Sequence, residues 1–122
     1  MANTQILTIA KFEELKKSPN IILIDFSATW CPPCKVMTPI FRALSEDPEL
    51  SEIGFYECDV DEETEVAALF SVSSIPTFPL VVFKGDGSFD LKTDVITKVV
   101  GAQDGISFRK VYVDALAKIK SE

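Results

Sequence analysis

The chain has 122 residues, 47% of them hydrophobic, and carries 12 Lys and Arg against 19 Asp and Glu for a net charge of −7. That length and composition predict one soluble domain over residues 1–122 with an apolar core, and the acidity argues against nucleic acid or an anionic membrane as the main partner. With no His, Ser-His-Asp and Cys-His catalysis and His-ligated metals are excluded, and proton transfer falls to a carboxylate, thiol, Lys or Tyr.

In chain order, Ile6–Ala10 is a short apolar run expected to form a first strand. Lys11–Lys17 carries Phe12 and Leu15 at helical spacing, and Ser18-Pro19-Asn20 stops it. Ile21–Ser27 is nearly continuously apolar, as in a strand buried on both faces. Over Cys34–Ser45, Val36, Met37, Ile40, Phe41 and Leu44 make a helical stripe, with Pro39 inside it expected to kink the helix. Ile53–Asp59 reads as a strand, Glu62–Phe70 as a helix with an acidic first turn, and Phe78–Phe83 as a strand before a Gly85-Asp86-Gly87 turn. Val95–Val100 is a fifth strand closed by Gly101, and Ile106, Val113, Leu116 and Ile119 mark a terminal helix. The alternation indicates an α/β domain with a mixed sheet.

No stretch is long and apolar enough to span a bilayer, and Met1–Gln5 lacks a basic region leading into an apolar run. A cytoplasmic location is therefore expected. The three cysteines, Cys31, Cys34 and Cys58, are too few for a disulfide framework, and in a reducing compartment a pair is redox-active or metal-binding.

Trp30-Cys31-Pro32-Pro33-Cys34 joins the buried strand to the following helix. A helix N-terminus presents unpaired N–H groups and partial positive charge, which stabilise a thiolate. Cys31 at that end is the expected nucleophile, and Cys34, one turn on, is placed to resolve a mixed disulfide. Pro33 suits the first helical turn, Pro32 before it is expected to be extended, and together they remove two N–H donors that might have faced the Cys31 sulfur. A structural zinc site asks for four ligands, whereas Cys58 sits in a separate strand; Lys35 occupies the position where haem attachment needs a His. Neither a metal nor another bound cofactor is expected.

Asp25 interrupts the apolar run of its strand. Buried, it is a proton acceptor near neutral pH; the plain alternative is a hydrogen-bonded or solvent-facing Asp. Trp30 is either a core or strand-end aromatic or a flat apolar wall for a substrate chain. Ser74-Ile75-Pro76-Thr77 is either a strand-entry proline or a cis bond in a tight turn. Cys58 reads as a buried inert thiol, and the acidic residues from Asp59 to Glu65 as a solvated helix start.

From Phe26-Ser27-Ala28-Thr29-Trp30 through Cys31-Pro32-Pro33-Cys34-Lys35 the chain resembles the thioredoxin family, and the likeness runs from about Phe12 to the C-terminal helix. Asp25 matches the family's buried Asp, Pro39 its helix proline, Ile75-Pro76-Thr77 its cis-proline segment and Gly101 the Gly after the last strand. The resemblance implies a thioredoxin fold, with a mixed four- to five-stranded sheet flanked by helices. It implies a carrier that reduces protein disulfides through a Cys31–Cys34 disulfide, with Asp25 as proton acceptor. Trp30, Val60, Ile75, Pro76, Gly101 and Ala102 would hold the substrate backbone, modulated by Pro32, Pro33, Lys35 and Pro39. Re-reduction would come from a flavoprotein thioredoxin reductase using NADPH, or from another thiol donor. The resemblance makes the carrier part of electron transport and cell redox homeostasis.

Two departures stand out. Pro32 replaces the family's usual Gly, a change seen in thioredoxin variants, tryparedoxins and some membrane-tethered or periplasmic relatives. The segment from Pro79 to Val100 is longer than expected, with an insertion that should lengthen a hairpin at the sheet edge, away from Cys31, either as a plain loop or as a partner site. The leading expectation is a monomeric disulfide reductase. The alternatives are an oxidase, isomerase or tryparedoxin-like carrier on the same fold, and a non-catalytic binding module.

Overall fold

The computed structural model describes residues 2–122; Met1, part of the stretch read for a secretory signal, lies outside them. Five strands form one mixed sheet in the order β1-β3-β2-β4-β5. They are β1 (Thr4–Ile6), β2 (Asn20–Ser27), β3 (Gly54–Asp59), β4 (Thr77–Phe83) and β5 (Val95–Val100). β1 and β2 run parallel to β3, whereas β4 is antiparallel to both β2 and β5. The helices are α1 (Ile9–Leu15), α2 (Pro32–Leu44), α3 (Thr64–Leu69), α4 (Leu91–Asp94) and α5 (Gly105–Lys120).

β2 sits at the centre because nearly every residue in it is apolar, and both of its faces are covered. On one face Leu23 packs with Met37, Phe41 and Leu44 of α2 and with Phe108, Tyr112 and Leu116 of α5. On the other, Ile22, Ile24 and Phe26 meet Phe12 and Leu15 of α1, Val66 of α3 and Phe70 just after it. The Tyr112 hydroxyl, buried among apolar rings, donates to the Phe78 carbonyl at 2.6 Å, so this polar atom is not orphaned.

The expected first strand, Ile6–Ala10, is corrected. The strand ends at Ile6, and Thr8 caps a helix by accepting from the Lys11 N–H at 3.1 Å. The apolar run is therefore a strand end, a cap and a helix start, and the Thr side chain is what divides it. α3 begins at Thr64 rather than Glu62. The acidic residues before it form a turn in which Asp59 Oδ1 accepts from the Asp61 and Glu62 N–H groups.

The long β4–β5 connection leaves the sheet at the end remote from Cys31 and contains α4, which its polar Asp-Leu-Lys-Thr-Asp composition did not suggest. It is anchored rather than loose. Gly85, at φ +93°, packs so closely on Pro19 that a Cβ there would lie 2.7 Å from the proline ring, and the Gly87 N–H donates to the Lys16 carbonyl at 2.9 Å. Phe89 sets its ring against Phe12, Phe70 and Phe83. The insertion thus completes an aromatic cluster. Replacement Phe89→Ala is expected to lower the unfolding free energy by about 2 kcal/mol in urea titration; a change within about 0.5 kcal/mol would mark the segment as a plain surface loop.

Candidate active site

The chain leaves β2 at Ser27 and turns through 28–30, with the Cys31 N–H donating to the Ala28 carbonyl at 3.3 Å. Cys31 is the N-cap of α2, extended at φ −99° and ψ 106°. Pro32 and Pro33 are the first two helical residues. This corrects the expectation of an extended Pro32: both rings hold the φ that a first helical turn requires, and the residue preceding them takes the extended conformation. α2 accordingly starts before Cys34. As the two prolines dictate, the Cys31 sulfur accepts only one nearby backbone donor of this turn, the Cys34 N–H at 3.2 Å.

Cys31 and Cys34 are joined in a disulfide with their Cα atoms 5.3 Å apart. Both are buried, in a small cluster with Ala28, against which Val60 and Ile75 pack. The topology explains the meeting. Cys31 follows the end of β2, and Val60 follows the end of the parallel strand β3, its N–H bonded to the Ser27 carbonyl at 2.9 Å. The antiparallel β4 begins at this same end of the sheet, preceded by a cis Ile75–Pro76 bond. The Ile75 carbonyl oxygen is 4.0 Å from Cys31 Sγ.

Gly101 ends β5 beside this turn at φ +90°, a conformation that glycine adopts without strain. Its N–H donates to the Pro76 carbonyl at 2.8 Å. Trp30 is 65% exposed and so is not a core aromatic, and its indole N–H donates to Asp61 at 2.7 Å. Ala102, Pro32, Pro33 and Lys35 are exposed at this end, whereas Pro76 is buried. α2 runs on through Pro39, and the Thr38 hydroxyl donates to the Cys34 carbonyl at 2.9 Å.

Asp25 is 1% exposed, and neither carboxylate oxygen has a hydrogen-bond partner among the described residues. It is therefore neither the solvent-facing nor the hydrogen-bonded Asp of the plain reading. Two residues beyond Leu23, it faces the layer that α2 covers. Burial pushes its carboxyl up to about 7; the carboxylate of Glu57 adds to this, and the Arg42 guanidinium opposes it. Cys58 packs on the opposite face. Burial, with Glu63, Asp59 and Asp25 adding to it, raises its thiol to about 12 and keeps it protonated.

Glu57 and Arg42 were not singled out from the sequence. Glu57 stands opposite Asp25 in the β2–β3 register. Arg42 of α2 grips it through Nε to Oε2 at 2.9 Å and Nη2 to Oε1 at 2.8 Å, holding the Glu57 carboxyl below its usual range. The one signal for Glu57 was an acid at the inward phase of a strand, two residues after Phe55. Among the described residues, no group of three or more His, Cys, Asp or Glu is arranged to hold a metal ion, and no helix is long and apolar enough to cross a membrane.

The thioredoxin family profile matches residues 3–110. A thioredoxin of Aspergillus fumigatus, Asp f 29, is 40% identical over 102 residues, covering 82% of this chain and 84% of that one. An H-type thioredoxin of Picea mariana is 37% identical over 113 residues, covering 93% and 82%. Among solved structures, Malassezia sympodialis thioredoxin superposes with a TM-score of 0.73 at 32% identity, covering 93% of this chain and 90% of that one. NaTrxh of Nicotiana alata gives 0.73 at 29% identity and covers 93% of both chains. The chain belongs to the thioredoxin family and is a thiol-disulfide oxidoreductase with a Cys31–Cys34 redox disulfide.

Proposed function

We propose that the chain acts as one thioredoxin-like domain over residues 1–122, carrying two electrons from the Cys31–Cys34 dithiol to protein disulfides. The observation that carries this reading is the Cys31–Cys34 disulfide at the start of α2, beside the Ile75 carbonyl. In the reduced protein, the Cys31 thiolate attacks one sulfur of a substrate disulfide. That S–S bond breaks, the second substrate sulfur leaves as a thiolate, and Cys31 is left in a mixed disulfide. Cys34 then gives its proton to the Asp25 carboxylate and attacks Cys31 Sγ. The Cys31–Cys34 bond forms and the first substrate sulfur departs, so the substrate gains the two electrons that the dithiol loses.

Roles follow from position. Cys31 caps the helix, 4.0 Å from the Ile75 carbonyl oxygen, which suits the attacking sulfur; Cys34 lies within the helix, which suits the resolving one. Trp30, Val60, Ile75, Pro76, Gly101 and Ala102 line the end of the sheet where a substrate backbone would lie as an added strand. The Gly101–Pro76 hydrogen bond supports a firm floor for it. Pro32 and Pro33 leave Cys31 a single donor from this turn, which favours a reductant over an oxidant because less thiolate stabilisation holds the dithiol form. We assign re-reduction to a flavoprotein reductase fed by NADPH or to another thiol donor, and place the carrier as a monomer in the cytoplasm, serving electron transport.

Three outcomes are expected. Cys34→Ser should accumulate mixed disulfides at Cys31, visible by mass spectrometry and released by dithiothreitol, with insulin reduction lost; absence of any trapped species would rule out the exchange sequence. Equilibration against glutathione and dithiothreitol, read by Trp30 fluorescence, should place the reduction potential near about −270 mV, whereas a value of about −120 to −180 mV would make the protein an oxidant or isomerase.

The third concerns stability. The unfolded chain releases the Asp25 proton near 3.8, but the folded protein holds it to about 7, so stability falls with rising pH across that window and the full cost is present above it. Asp25→Asn is therefore expected to stabilise the fold by about 3 kcal/mol at pH 8 in urea titration and to bring no such gain at pH 3.5.

A further inference from the structure

We propose that the Glu57–Arg42 pair governs when Asp25 takes the Cys34 proton, acting as a positioning pair outside the reacting atoms. This rests on the reading of Asp25 as the proton acceptor. Three elements converge to make the arrangement: β2 supplies Asp25, β3 supplies Glu57 directly opposite it, and α2 supplies both Cys34 and Arg42. Neighbouring strands lie about 5 Å apart and paired residues point to the same face. Glu57 is thus a carboxylate held beside a buried carboxyl.

Glu57 is not free to share a proton with Asp25. Its two oxygens take both Arg42 contacts, and Oε2 also accepts from the Thr4 hydroxyl at 2.7 Å. Those donors keep it ionised and fixed in place. Asp25, by contrast, has among the described residues no hydrogen bond that prefers either of its protonation states. What remains to decide its charge, beyond burial, is the field of its neighbours. From β3 the group on its face is Glu57, since the protonated Cys58 thiol lies on the other side; from α2 it is Arg42, Cys34 being held in the disulfide. From α5 there is Tyr112, whose hydroxyl is spent on Phe78, and β4 has no titratable side chain. Among the described residues only Glu57 and Arg42 bring a standing charge, and they act in opposite senses: Glu57 disfavours the Asp25 anion and Arg42 favours it. The pair lies towards solvent, with the Arg42 side chain 52% and the Glu57 side chain 17% exposed, so it can be altered without opening the core.

The test is the pH dependence of the resolving step, followed together with the Asp25 carboxyl carbon by NMR. Glu57→Gln should lower the midpoint by about half a pH unit or more, and Arg42→Met should raise it by a similar amount. Arg42→Lys, which keeps the charge, should stay near the parent. Opposite shifts separate this role from a structural one, because loosened packing would admit water and lower both midpoints. Shifts in one direction, or unmoved midpoints in both variants while Asp25→Asn still abolishes the titration, would overturn the proposal and leave Asp25 as acceptor. An Asp25→Asn profile identical to the parent would overturn both.

Discussion

Everything in this molecule hangs on β2 being buried on both faces. From its C-terminus the chain passes through the short turn at 28–30 directly into α2. Putting Cys31 at that junction places it at the end of a helix and at the end of the sheet together. The same burial leaves Asp25 without a hydrogen-bond partner among the described residues. The strand that positions the disulfide therefore also raises the proton affinity of the carboxyl behind it. The cost to the fold of a buried acid and the raised proton affinity of that acid have one physical origin.

Much of this was legible because it is written in local patterns. The apolar run of β2 announced a central strand, the helical stripe from Val36 to Leu44 announced α2, and Cys31-Pro32-Pro33-Cys34 announced a helix start with few donors. Val60, and the grouping of Ile75 and Gly101 with it, were reached only through the family resemblance, since no local period links residues that far apart. The sheet explains their meeting: two parallel strands end, and an antiparallel one begins, at a single edge. Where the reading missed, a side-chain hydrogen bond overrode a pattern. Thr8 caps a helix inside what looked like one strand. In the insertion, Phe89 finds three aromatic partners distant in sequence, which no window of neighbouring residues reveals.

Glu57 and Arg42 were illegible for a further reason. A strand acid and a helix arginine are ordinary surface residues until the β2–β3 register sets one of them opposite Asp25. A shift of that register by one residue would turn Glu57 to the other face and leave Asp25 beside a different neighbour. The register is held by the burial of Leu23, Phe55 and their partners, so core packing also specifies the electrostatics of the site. In a chain without His, this coupling matters more than elsewhere, because no imidazole is present to titrate near neutrality. A carboxyl has to be brought to that range by its surroundings. Burial supplies most of the change, and a clamped charge pair is a means of adjusting it without disturbing the strand that the fold requires.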